Sequence, residues 1–129
     1  MKVFEKHITV VNDDLDDLNH VNNVRYVQWV NDIAREHWNS WASKNLLENY
    51  FWVLISHHIE YKSAAILNDS IRIKTYILKS EGVTSKRIVE MYDDITNKLL
   101  IKSETNWCLI STETKRPARI PQEIINLNY

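Results

Sequence analysis

Cysteine, glycine and proline are nearly missing from this chain, with one, one and two among its 129 residues. Cys108 has no partner for an internal disulfide and no Cys/His group has structural zinc spacing, so a reducing compartment and no metal site are expected. An excess of one charge is missing as well: 16 Lys and Arg stand against 17 Asp and Glu, a formal net charge of -1. Such a balance supplies no basic field for holding phosphate backbones, which argues against nucleic acid as a partner. No apolar run is long enough to cross a bilayer, and Met1-Lys2-Val3-Phe4-Glu5-Lys6-His7 lacks the apolar stretch of a signal peptide. The expectation is a cytoplasmic protein without a membrane span, and nothing in the composition calls for a cofactor.

What is present is core material. With 44% hydrophobic residues, 26% charged residues and five tryptophans, the chain is read as one domain over residues 1–129 that folds without staples. Residues 3–11 are rich in Val, Ile and Thr and stop at Asn12-Asp13-Asp14, the pattern of a strand leaving a sheet. Over residues 22–42 the period changes: Val27, Val30, Ile33, Ala34, His37, Trp38 and Trp41 recur at intervals of three and four, which predicts one long amphipathic helix. Asn22 or Asn23 is the expected N-cap, because an Asn side chain accepts from the first unpaired amides.

Beyond residue 49 the helical period is lost, and β-rich segments at 51–63, 69–80, 83–94 and 98–111 predict four strands in consecutive antiparallel pairing. Gly82, the lone glycine, falls where a tight hairpin needs positive φ, and Thr96-Asn97-Lys98 supplies the next turn. Both prolines break the segment Arg116-Pro117-Ala118-Arg119-Ile120-Pro121, which is expected to lie over the surface. One strand, one long helix and four further strands make an α+β pattern: a five-stranded antiparallel sheet burying one face on a single helix. So small a unit leaves a sheet edge and the helix start partly uncovered, which predicts a homodimer or homotetramer.

The chemistry gathers between Asp14 and Tyr26, where carboxylates and a histidine immediately precede the long helix. A helix start offers free amides and partial positive charge, able to polarise a thioester carbonyl and stabilise the oxyanion formed on attack. A neighbouring carboxylate can attack or activate water. Taken singly, the aspartates also fit a solvated loop that complements the helix dipole, and the histidine a packing role.

Asp14, Asp16, His20, Val21, Asn22, Asn23 and Tyr26 spell Asp-x-Asp-x-x-x-His-Val-Asn-Asn-x-x-Tyr. This resembles the hotdog acyl thioesterases, both the bacterial 4-hydroxybenzoyl-CoA thioesterase-like group, with its Tol-Pal-associated members, and the plant acyl carrier protein thioesterases. His58-Ile59-Glu60-Tyr61-Lys62 is similar to their Val-Glu-Tyr strand and residues 116–121 to their closing segment, so the resemblance covers nearly the whole chain. It implies a hotdog fold, hydrolysis of an acyl-CoA or acyl carrier protein thioester, Asp16 as general base or nucleophile, His20 and Glu60 at the plant enzymes' catalytic histidine and glutamate, and the Asn23 amide as the carbonyl-polarising donor. Leu18 stands where the plant pattern has asparagine. Asn19 stands where many bacterial relatives have glycine, and asparagine tolerates the left-handed conformation better than most residues.

Lys62, Lys86, Arg87, Lys115, Arg116 and Arg119 are the cations open to the phosphates of CoA, each equally at home as solvated surface. The aromatic residues of the helix, Tyr26, Trp29, Trp38 and Trp41, suit packing or an acyl tunnel. Two other functions share these features: a noncatalytic acyl-CoA binding or sensing protein, and a hotdog hydratase or dehydratase, whose Asp-x-Asn-x-x-His pattern is not matched here.

Overall fold

The computed structural model describes residues 2–128. Its long helix, α1, spans Asn23–Trp41. The Asn22 side chain accepts from the Val24 amide at 3.0 Å and so caps the first turn. Tyr26, Trp29, Val30, Ile33, Ala34, His37 and Trp38 form its buried stripe, in the three- and four-residue spacing that puts them on one face. At the far end Ala42 turns to extended backbone, and a short helix, α2 (Lys44–Asn49), leads into the sheet. That helix is not foreshadowed by the apolar period.

The strands are β1 (Phe4–Thr9), β2 (Tyr50–Tyr61), β3 (Ser70–Glu81), β4 (Thr84–Asp93) and β5 (Leu99–Ser111). They form one antiparallel sheet in the order β1-β3-β4-β5-β2. Alternation places Ile71 and Ile73 of β3, Val89 and Met91 of β4, and Ile101 of β5 on the face that meets Tyr26, Val30 and Ile33. Fully burying each such side chain contributes about 1.5–3 kcal/mol. A second apolar cluster lies under the C-terminal half of α1, where Trp38 meets Leu46 and Leu109. This is the expected five-stranded antiparallel sheet around one long helix. Gly82 and Asn97 take positive φ, +63° and +62°, at the two hairpin turns where they were expected.

Two expectations are corrected. The strand order is not fully consecutive: β2 pairs with β5, and β3 is bounded by β1 and β4. Residues 62–69 make no hairpin, because their polar backbone is taken elsewhere. Lys62 and Ser63 donate to the Leu100 carbonyl, and the Ala65 carbonyl accepts from Val21. With Ala65 fully buried, this crossover closes the end of the core at which α1 begins. The proline-broken tail, secondly, does not merely lie over the surface. The Ser111 amide donates to Arg116 and the Ala118 amide to Leu109, while Ile120 and Ile124, the latter on α3 (Gln122–Asn128), are buried in the second cluster. Both prolines sit where no ladder donor is lost.

Candidate active site

The loop before α1 is a miniature hairpin. Asn22 donates to the Asp14 carbonyl at 2.8 Å and Asp16 to the His20 carbonyl at 2.8 Å, while Leu15 and Val21 form a bridge. Leu15 and Val21 pack on the core, so Asp16 and His20, one step along each arm, face away from it as a cross-strand pair. Asn19 closes the turn at φ +62°, the left-handed conformation for which asparagine is suited.

Asp14 and Asp16 have different work. Asp14 is buried, its Oδ1 3.1 Å from Arg25 Nε and its Oδ2 accepting from the Val11 amide at 2.9 Å. It ties the loop to the first turn of the helix. Asp16 is half-buried, and its Oδ1 accepts from the amides of Leu18 at 2.9 Å and His20 at 3.2 Å. Its second oxygen makes no hydrogen bond among the described residues. The His20 side chain is exposed and likewise has no hydrogen-bond partner among them.

At the helix start, Asn22 Oδ1 takes the Val24 amide and the Asn22 carbonyl takes that of Arg25. The amide of Asn23, which precedes both in sequence, has no acceptor among the described residues, as expected of the first turn. Tyr61, at the end of β2, reaches this point: its hydroxyl donates to the Asn23 carbonyl at 3.4 Å, and its ring lies 6.0 Å from that of Tyr26. Burial raises the pKa of Tyr26 above the ordinary phenol value.

Asp16, His20 and Asn23 therefore share one short stretch of loop and helix start, and Glu60 does not join them. Tyr61 and Ile59 face the helix side, so alternation turns Glu60 to the other face of the sheet. There it is exposed, with His58 Nε2 at 4.0 Å and Lys62 Nζ at 3.6 Å. His57 points inward, its Nε2 2.7 Å from Ser103 Oγ, with its pKa lowered by burial and then by His58.

A cavity of about 300 Å³ opens farther along, between the C-terminal half of α1 and the sheet. Its walls include Trp38, Trp41, Trp52 and Trp107, with Asn31 toward the helix start and Arg87 at the sheet. None of Asp16, His20, Asn23 and Glu60 lines it. Arg87, one of the cations considered for the CoA phosphates or for solvated surface, is instead 5% exposed. It lies in phase with Ser85, Val89 and Met91, three other buried positions of β4. Its Nη1 donates to Thr75 Oγ1 at 3.0 Å and to His37 Nδ1 at 2.9 Å. Because a guanidinium only donates, Nδ1 is the acceptor and the imidazole proton sits on Nε2. Burial, and secondarily Arg87, lowers the pKa of His37 to about 4, and burial lowers that of Arg87 to about 10. Among the described residues, no helix is long and apolar enough to cross a membrane.

Comparison with known proteins bears on this geometry. Residues 10–126 match the family model described as the thioesterase-like superfamily. No curated protein sequence matches the chain. Among solved structures, the chain is similar to a 1,4-dihydroxy-2-naphthoyl-CoA thioesterase from Synechocystis, with a TM-score of 0.82 at 16% identity over 97% of this chain and 94% of that one. A Staphylococcus aureus protein crystallised with CoA has a TM-score of 0.84 at 20% identity, over 97% and 80%. The 12:0-ACP thioesterase from Umbellularia californica scores 0.82 at 16% identity, and the match spans 96% of this chain and 48% of that longer one. At these identities the likeness is one of fold, the hotdog arrangement of sheet and helix.

Proposed function

The chain belongs to the thioesterase-like superfamily, and from that premise we propose that it hydrolyses acyl-CoA or acyl carrier protein thioesters, with the reaction held at the start of α1. The observation that carries this reading is the free Asn23 amide at a helix start whose loop presents Asp16 and His20. That amide, aided by the positive end of the helix dipole, takes the carbonyl oxygen of the thioester and steadies the negative charge that develops there. Asp16 is held in orientation by two amides on Oδ1, leaving its second oxygen for water or for direct attack on the carbonyl carbon. His20, across the hairpin from Asp16, orients the attacking water. Glu60 faces away from the helix start and has no step in this scheme.

The proposed enzyme is a homodimer or an assembly of such dimers. β2 is an edge strand of 12 residues, and its Phe51, Val53, Leu54, Ile55 and Tyr61 are exposed. A long apolar edge with unpaired backbone groups is a template for a second strand, and a second copy of β2 satisfies it antiparallel.

The test is release of free thiol from a panel of aryl-, short- and long-chain acyl-CoA thioesters. The parent releases thiol from at least one class, and Asp16→Asn loses about a hundredfold or more. Tight binding of acyl-CoA by the parent without any release would replace this reading with that of a sensing protein.

A further inference from the structure

The cavity beside α1 holds a charge that no carboxylate among the described residues neutralises. Arg87 is 5% exposed, and no carboxylate pairs with it among the described residues. Its two side-chain hydrogen bonds both use Nη1 and both go to neutral partners, Thr75 and His37. The remaining guanidinium donors, on Nη2 and Nε, make no hydrogen bond among the described residues. A buried ion left so incompletely partnered costs several kcal/mol relative to water, and natural proteins seldom keep one without a counter-charge.

One more donor on the same walls lacks a partner, the buried indole nitrogen of Trp41; the side-chain oxygen of Asn31, also buried and unsatisfied, is an acceptor and is not completed by an anion. Trp41 and Arg87 supply donors only, so the group that completes them is an acceptor, and the cation selects a negative one. A carboxylate, with two oxygens and about four lone-pair sites, suits a guanidinium that has free N–H groups on two nitrogens. Most of the remaining lining is apolar, Trp38, Phe51, Trp52 and Trp107 with Ala34 and Ile77, which suits the carbon body behind such a carboxylate, while Arg35, paired with Asp32, and Ser85 are the other polar residues there. At roughly 30 Å³ per small group, about 300 Å³ holds on the order of ten heavy atoms.

We propose that this cavity binds the distal carboxylate of an acyl group, Arg87 and Trp41 holding its oxygens, so that the protein selects thioesters of short dicarboxylic acids over those of plain fatty acids. The inference rests on the thioesterase reading for its substrate and adds the specificity-determining residues. It also fits the edge pairing proposed above. An antiparallel pair of β2 strands related by a two-fold through their middle lays the Tyr61 end of one copy against the Tyr50 end of the other. Tyr61 bonds to the carbonyl of Asn23 and Trp52 lines the cavity, so the helix start of a second copy is brought beside the cavity of the first. The acyl group then spans from that helix start to Arg87.

Tryptophan fluorescence reports binding without turnover, because four indoles line the cavity. Adipyl-CoA and hexanoyl-CoA, equal in carbon count and different only in the terminal carboxylate, are titrated into the parent, Arg87→Met, Arg87→Lys and Trp41→Phe. The parent binds adipyl-CoA at least about tenfold more tightly, the size expected of hydrogen bonds to a charged group. Arg87→Met abolishes the preference, Arg87→Lys keeps part of it, and Trp41→Phe, which removes one N–H while preserving an aromatic wall, reduces it a few-fold. Should Arg87→Met not fold, judged by circular dichroism, the Trp41→Phe and Arg87→Lys results decide.

Equal or tighter binding of hexanoyl-CoA by the parent overturns the proposal, as does a preference that survives in every variant that folds. Discrimination in binding without thiol release would sink the thioesterase reading and leave the carboxylate site standing. Release without discrimination would do the reverse.

Discussion

The two ends of α1 hold opposite kinds of polar group. At its start, Asp16, His20 and Asn23 sit at the surface, and their geometry is fixed by short local hydrogen bonds within residues 14–25. Along its second half, His37 and Arg87 are buried among tryptophans, and the bonds that hold them join residues 50 and 12 positions apart. The contrast follows from what each end is proposed to do. Attack by water needs solvent, a free amide and a carboxylate oxygen open to that solvent. Recognition of one acyl group needs the reverse, a desolvated pocket in which a single charge discriminates strongly because water no longer competes.

The comparison breaks most visibly if the chemistry at the exposed end is disturbed. His20→Ala is expected to lower kcat about a hundredfold while leaving tryptophan-monitored binding of the thioester within about twofold, since it removes an orienting group rather than an acyl contact. A parallel loss of binding and turnover would mean that the two ends are not separable. Next in size is a pH effect from the buried end. His37 stays neutral in the folded protein down to about pH 4, whereas in the unfolded chain it takes up a proton near pH 6.5. The unfolded state therefore binds more protons between those values, so stability is full above pH 6.5 and declines as pH falls toward 4. Urea unfolding at pH 7 and pH 5 should differ by about 2 kcal/mol. His37→Gln should remove the larger part of that difference, with His57, shifted the same way, supplying the remainder.

A smaller effect sharpens the assignment of the helix start. Asn22→Ala deletes the bond to the Val24 amide and should cost about 1 kcal/mol in thermal or urea unfolding. If the first turn also holds the oxyanion, kcat falls at temperatures where the variant is fully folded; a purely structural cap would leave kcat unchanged. Smallest of all is Glu60→Gln. With its carboxylate on the outer face beside His58 and Lys62, the change should lower kcat/KM by less than about threefold, the scale of a solvent-exposed ion pair. A loss matching that of Asp16→Asn would instead return Glu60 to the reaction.

Local features were legible in the sequence, and nonlocal ones were legible only in part. The three- and four-residue spacing of α1, the cap at Asn22, the turns at Gly82 and Asn97 and the left-handed Asn19 all depend on a few adjacent residues, and the structure shows each of them. The pairing of β2 with β5 depends on residues 62–69 finding better partners at Leu100 and Val21 than in a hairpin, a competition that no single segment records. Arg87 lies between these cases. Its place in the alternation with Ser85, Val89 and Met91 is plain in the sequence and marks it as inward-facing. The habit of assigning arginine to solvent outweighs that signal until the strand's buried face is known. Ile120 and Ile124, four residues apart across Pro121, are a similar signal, masked by the prolines around them.

The most direct test of this division of labour is to measure turnover and binding for Asp16→Asn and Arg87→Met side by side, on adipyl-CoA and hexanoyl-CoA. The account predicts a double dissociation. Asp16→Asn loses about a hundredfold in kcat and keeps the tenfold preference in binding, while Arg87→Met, or Arg87→Lys should the former not fold, loses all or part of the preference for adipyl-CoA over hexanoyl-CoA without the hundredfold fall in kcat. Loss of both properties in both variants, or a Asp16→Asn protein that turns over normally, would contradict it.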